Sequence, residues 1–268
     1  MQLTTRKATA GLVAALALVP AAAVAATIDG GPGNEHLRGT NAADTNNGNG
    51  GNDRIFGRGG NDQLRGGPGN DRVFGGRGDD FISGDANGVG DRTSFDFLSG
   101  NAGNDEIHGG DSRDRIYGGS GNDTSYGENG NDRMAGGTGD DTQYGGSGND
   151  RIFANLGVDT TSGGDGNDDL WALARGDVHP GPNGETDTTG DTLDGGPGND
   201  TFHTRDGEVD RITCGDGNDN ALLDRVDVIA DATAENPNGS CERVVRKAPK
   251  SRDSRSEDHQ QAPAAANE

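Results

Sequence analysis

Gly66-Gly67-Pro68-Gly69-Asn70-Asp71-Arg72-Val73-Phe74 is followed without a gap by Gly75-Gly76-Arg77-Gly78-Asp79-Asp80-Phe81-Ile82-Ser83. The two nonapeptides share one plan: glycine at positions one, two and four, a carboxylate at six, an aliphatic residue at eight. The period extends outward from this pair. Glu35, Asp44, Asp53, Asp62, Asp71 and Asp80 fall in one register, and Asp96, Asp105, Asp114, Asp123, Asp132, Asp141, Asp150, Asp159 and Asp168 in a second. Asp191 and Asp200 resume the spacing, and Asp210 arrives one residue late. Self-similarity at a fixed short period marks stacked repeats, each burying its apolar face on the next.

Within one unit, the glycine-rich first six residues read as a turn and the last three as a short strand. Position eight is aliphatic at Leu37, Ile55, Leu64, Val73, Ile82, Leu98, Ile107, Ile116, Met134, Ile152 and Leu170. Neighbours of an inward strand residue point outward, so position eight fills a core. Two units make one coil with turns on opposite sides, and coils stack about 4.8 Å apart. The fold class expected is all-β, a parallel β-roll. Neighbouring turns then bring carboxylates and backbone carbonyls close enough to hold Ca²⁺, which takes oxygen ligands at about 2.3–2.6 Å. The candidate metal ligands are Asp53, Asp62, Asp71, Asp80, Asp105, Asp114, Asp123, Asp132, Asp141, Asp150, Asp159, Asp168 and Asp200.

The motif, written Gly-Gly-x-Gly-Asn/Asp-Asp-x-aliphatic-x, resembles the RTX (repeats-in-toxin, haemolysin-type) calcium-binding nonapeptide family. The resemblance covers roughly residues 30 to 220, with about a dozen near-complete copies. It implies a right-handed roll with several Ca²⁺ ions in its turns, folding on reaching extracellular calcium, and a secreted, extracellular or cell-surface location.

Departures from the pattern divide the chain. The unit around Asp44 lacks most glycines and carries Asn46 at the core position, and Glu35 replaces Asp, so weaker sites are expected at that end. Insertions break the register near 84–95 and 172–190. The expected organisation is a signal peptide at 1–26, a roll over 27–220 in three segments, a cap at 221–245 and a disordered tail at 246–268.

The charge of −22, the low apolar content of 28% and the 50 glycines would ordinarily describe a disordered chain. A cation in every turn changes that, because metal binding becomes folding free energy. The acidity argues against nucleic acid and anionic membrane surfaces as partners.

Arg6 and Lys7 precede an apolar run from Gly11 to Val19 and then Ala21-Ala22-Ala23-Val24-Ala25-Ala26. This is the layout of a secretory signal, cleaved near Ala25 or Ala26. The run is short of the roughly 20 residues of a membrane span, and none is expected elsewhere. Cys214 and Cys241 suit an oxidising space and are expected to form a disulfide. That bond would staple the apolar segment Ala221–Ala230, with Val244 and Val245, over the last coil.

Two features, one interior and one outward, admit two readings each. Core positions Ser125, Gln143 and Thr161 are polar, forming either a hydrogen-bonded wall or a functional seam. The position-nine pairs Phe56/Phe74, Tyr126/Tyr144 and Phe153/Trp171 are either stabilising ladders or a strip for a polysaccharide or partner.

No catalytic set is expected. His36, His108, His179, His203 and His259 are scattered, with no His-Glu-x-x-His and no Gly-x-Ser-x-Gly elbow. Asp216-x-Asn218-x-Asn220 mimics a Ca²⁺ loop, but Ala221 stands where that loop needs glycine, so it reads as the last roll turn. His203, Arg205 and Asp206 read as a structural cluster. The expected role is structural or interactive. A calcium-dependent polysaccharide-binding module and a polysaccharide-acting enzyme, with its site in the inserted loop near His179, are the alternatives.

Overall fold

The computed structural model describes residues 24–85, 94–172 and 189–248. The expected signal segment up to residue 23, the middle of both insertions with His179, and the expected tail from residue 249 lie outside the described residues.

The described chain is all strand. It winds into two parallel sheets of eleven strands, filled alternately along the chain, with one further short pair, Pro197–Gly198 beside Asp216–Gly217. The first sheet runs from Thr27–Asp29 to Val228–Ile229 and the second from His36–Arg38 to Arg243–Arg246. Each residue pairs with the one a full coil further on. Arg115 lies beside Arg133 and Arg133 beside Arg151, and on the other sheet Thr124 lies beside Thr142. The 18-residue coil read from the sequence is therefore the hydrogen-bonding register.

Position eight forms the core as expected. Ile55, Leu64, Val73, Ile82, Leu98, Ile107, Ile116, Met134, Ile152 and Leu170 are fully buried, and the series continues through Leu193, Phe202 and Ile212. The polar positions are buried too. The Gln143 amide, oriented by its neighbours, donates to the Phe153 carbonyl at 3.1 Å and accepts from the Gly136 N–H at 2.9 Å. Asn46 Nδ2 donates to the Phe56 carbonyl at 3.3 Å. Both amides thus satisfy backbone groups of the opposite wall, as buried amides must. Thr161 Oγ1 finds no partner among the described residues.

Three points differ from the sequence expectation. Strands in the regular coils are six residues long rather than three, as in Arg115–Ser120, because stacked turns repeat the same conformation and pair again beyond the corner. The insertions do not divide the roll. Val73 pairs with Leu98 and Leu170 with Phe202 in the second sheet, and Ile82 with Ile107 and Thr161 with Leu193 in the first, so both sheets pass each break without losing a strand. The segment expected as a cap continues the sheets: Val228–Ile229 pairs with Val209–Thr213 and Arg243–Arg246 with Asn220–Leu223. It closes the roll as a last, irregular coil. The Cys214–Cys241 disulfide ties this coil down, with Cα atoms 5.2 Å apart and both side chains buried.

The aromatic pairs are ladders. Phe56 and Phe74 stack with ring centroids 5.1 Å apart, as do Tyr126 and Tyr144. Phe153 leans on Trp171, which stacks on His203 at 3.7 Å. Their faces are turned to one another; Phe74 and Phe153 are buried, whereas Tyr144 is exposed. His203, Arg205 and Asp206 do not converge: His203 Nε2 pairs with Asp169, Arg205 Nη2 donates to the Ala248 carbonyl, and Asp206 accepts from the Glu208 N–H.

Candidate metal centre

The position-six carboxylates stand in two columns, one along each edge of the roll where turn meets strand. On one edge, the backbone N–H of each aspartate donates to Oδ1 of the aspartate one coil further on. Asp62 donates to Asp80, Asp80 to Asp105, Asp105 to Asp123, Asp123 to Asp141, Asp141 to Asp159 and Asp159 to Asp191, all at 2.7–2.9 Å. The other edge repeats the arrangement from Asp53 through Asp71, Asp96, Asp114, Asp132, Asp150 and Asp168 to Asp200. One oxygen of each carboxylate is thus fixed by the backbone, which orients the other.

In twelve of the candidate aspartates that other oxygen has no hydrogen-bond partner. Oδ2 of Asp53, Asp62, Asp71, Asp80, Asp105, Asp114, Asp123, Asp132, Asp141, Asp150, Asp168 and Asp200 is buried and unsatisfied. A buried, unpaired carboxylate oxygen is costly and calls for a counter-charge. The glycine at position one explains where that charge fits. A methyl group on Gly118 would overlap both Asp123 Oδ2 and the Gly136 carbonyl oxygen, and Gly66 is placed in the same way against Asp71 Oδ2 and the Gly84 carbonyl. The space kept open by glycine is bounded by a carboxylate oxygen and a carbonyl oxygen of the next coil. Among the described residues no three acidic, His or Cys side chains form a metal cluster by themselves. A cation held here must therefore draw on backbone carbonyls as well, an all-oxygen set suited to a hard ion.

The electrostatics agree. Burial pushes Asp123 up to about 8, against the hydrogen bond from Asp105 and with the charges of Asp105 and Asp141. Burial likewise raises Asp96 to about 9, Asp132 to about 8, Asp71 to about 7 and Asp150 to about 6. Without a cation these columns resist ionisation. A divalent ion removes that penalty by supplying the opposite charge.

The chain belongs to the RTX calcium-binding nonapeptide repeat family. The family model matches residues 29–64, 56–87, 93–125, 126–161, 144–174 and 186–221, the greater part of the sequence. RTX nonapeptide repeats bind Ca²⁺ in multiple sites, which is the ion these oxygen columns fit. Comparison with curated proteins found no match. Among the described residues no helix is long and apolar enough to cross a membrane.

All thirteen candidate aspartates stand in the columns, and the RTX register brings in further carboxylates. Asp44, Asp96, Asp191 and Asp210 occupy position six, and each accepts a backbone N–H from the coil before. Asp219 was hidden because Cys214 stands in place of the first glycine, yet its Oδ1 accepts from Asp200 at 2.8 Å. Both columns end on residues with no repeat around them. Asp227 accepts from the Asp210 N–H at 3.4 Å and Glu242 from the Asp219 N–H at 2.8 Å. Asp216 is exposed, and its strand partner is Pro197, so the loop resembling a Ca²⁺ loop is a roll turn.

Proposed function

We propose that this chain is an exported calcium-binding protein whose roll assembles on meeting Ca²⁺ outside the cell, where it serves a structural or interaction role in the medium or at the cell surface. The reading assigns it no catalysis. The observation that carries it is the pair of carboxylate columns in which twelve candidate aspartates have one backbone-fixed and one buried, unsatisfied oxygen. Such columns repel themselves when metal-free and ionised, so a cation supplies what the short core lacks. The Asp53, Asp71, Asp114, Asp132, Asp150, Asp168 and Asp200 side chains would serve one edge. Asp62, Asp80, Asp105, Asp123, Asp141 and Asp159 would serve the other.

Export is supported by the charged, apolar and small-residue layout of residues 1–26 and by the disulfide. The test is to recover the protein from culture medium, sequence its N-terminus and titrate it with calcium under circular dichroism. A chain beginning after Ala25 or Ala26 that gains β-structure with calcium supports the proposal. Retention in the cytoplasm, or full β-structure in chelator, would overturn it.

A further inference from the structure

The second sheet carries a row of arginines at position seven. Arg115, Arg133 and Arg151 are direct neighbours on adjacent strands, where the first sheet holds Thr124, Thr142 and Thr160. Like charges side by side on adjacent strands are unfavourable, so the row calls for a compensating partner. Arg133 lies over the Phe153 ring at 5.4 Å and Arg151 Nε pairs with Asp169 at 2.9 Å. Among the described residues no carboxylate forms an ion pair with Arg133, whose Nε is buried without a hydrogen-bond partner, while the charge of exposed Arg113 acts on Asp132.

Beside this row runs a groove of about 370 Å³ along the turn edge, lined across four coils by Arg113, Arg133, Arg151, Asn131, Asn149 and Asn167. Its amides are oriented by the backbone. Asn131 Oδ1 accepts from the Asn149 N–H at 2.8 Å, and Asn149 Oδ1 from the Asn167 N–H at 2.7 Å. With the oxygens held against the turn, the exposed NH₂ groups of Asn131 and Asn149 are the ends left for a ligand. Carboxylates also line the wall, but they are committed. Asp132 and Asp150 belong to the calcium column, and Asp169 receives Arg151, His203 and the Trp171 Nε1–H. The wall therefore offers guanidinium and amide donors at coil spacing, over about 14 Å for three steps of ~4.8 Å.

We propose that this groove binds an acidic polysaccharide, with Arg113, Arg133 and Arg151 taking its carboxylate or sulfate groups and the asparagine amides its hydroxyls. Guanidinium forks suit planar carboxylates and sulfates, and the neutral amides between them suit a hydroxyl-rich polymer. The inference rests on the calcium reading, because a chain of net charge −22 repels a polyanion until bound cations offset its aspartates. Binding is accordingly calcium-dependent.

The full chain is loaded in about 1 mM calcium and tested by affinity electrophoresis against hyaluronan, dextran sulfate and neutral dextran. Retardation by hyaluronan identifies a carboxylate ligand, retardation by dextran sulfate a sulfate ligand, and neutral dextran has no effect. The double variant Arg113→Gln/Arg133→Gln weakens binding at least about tenfold with unchanged circular dichroism in saturating calcium, while Arg211→Gln on the first sheet changes nothing. Equal retardation by neutral dextran, an unaffected double variant, or equally tight binding of double-stranded DNA would overturn the assignment. A chain that gains β-structure with calcium yet binds neither acidic polymer sinks the groove alone. If calcium induces no β-structure, the calcium reading falls and takes the groove with it.

Discussion

The backbone N–H of Asp123 donates to Oδ1 of Asp141, one coil further along, at 2.8 Å. The bond joins two acidic residues through the neutral backbone of one and the charged side chain of the other. It orders the carboxylate without neutralising it, so Oδ2 of Asp141 stays buried with a charge still to be balanced. Repeated along both edges, this relationship makes the roll depend on its cations.

Calcium should therefore fold the chain. In chelator, circular dichroism is expected to show little β-structure. A cooperative gain is expected at extracellular-type concentrations, on the order of 10⁻⁴–10⁻³ M. Magnesium, which demands a smaller and stricter octahedron, should substitute poorly. A chain equally folded in chelator would contradict this.

Single-ligand variants should act locally and spread to neighbours. Asp123→Ala or Asp141→Ala removes one carboxylate and breaks one rung of the column, and is expected to weaken the adjoining sites at least roughly tenfold. Because each coil touches only its neighbours, the loss should extend to the adjacent coils. Glu235→Gln, exposed in the last irregular coil, should leave the calcium titration unchanged. Identical titrations for all three variants would remove the column assignment.

Proton and calcium should replace one another. Burial raises Asp80 and Asp123 to about 8 and Asp105 and Asp141 to about 7 in the metal-free fold, above the ordinary 3.8. A folded-state value above the unfolded one means that folding takes up protons. The stability these groups contribute is complete below about pH 4 and is lost as pH rises through about 7–8. In chelator, then, β-structure should be greater near about pH 5 than near about pH 8. Saturating calcium should shrink the difference. A chelated β-signal that grows with pH would reverse the sign and defeat the argument.

The glycines at positions one and two are needed for different reasons, and two substitutions separate them. Gly118→Ala puts a methyl group against Asp123 Oδ2 and the Gly136 carbonyl, and should raise the calcium midpoint. Arg58 stands at position two with φ 86°, where a side chain is strained. Arg58→Gly should stabilise the calcium-loaded roll by up to about 1 kcal/mol, after allowing for glycine's greater freedom in the unfolded chain. Thermal melts of both variants in calcium decide it. A stabilising Gly118→Ala would show that position one is not reserved for the ion.

Breaking the Cys214–Cys241 bond should loosen one end. Closing a loop of 27 residues is worth roughly 3–4 kcal/mol in the chain-entropy model. In Cys214→Ser/Cys241→Ser, hydrogen exchange should rise first in the strands Asn220–Leu223 and Arg243–Arg246 while Arg115–Ser120 stays protected. Uniform loss of protection along the roll would show instead that the end coil does not open by itself.

The nine-residue period encodes most of the architecture. Position eight of each nonapeptide located the core, position six located both carboxylate columns, and the lone cysteine pair foretold its bond. Those inferences hold because the interaction partner of each residue is its own equivalent one coil away, so local sequence repeats the tertiary contact. Where the partner is not an equivalent residue, the sequence was silent. Asp219 is masked because Cys214 replaces the first glycine of its unit, and nothing around Asp227 or Glu242 marks them as column ends. The breaks near 84–95 and 172–190 looked like divisions, yet stacking requires only that the next strand return to register, whatever the excursion between. The donor wall of Arg113, Arg133, Asn131 and Asn149 likewise needs positions five and seven of successive coils brought to one edge. Only the winding of the chain does that, because hydrogen bonds across coils, not contacts along the sequence, set which side-chain ends face outward.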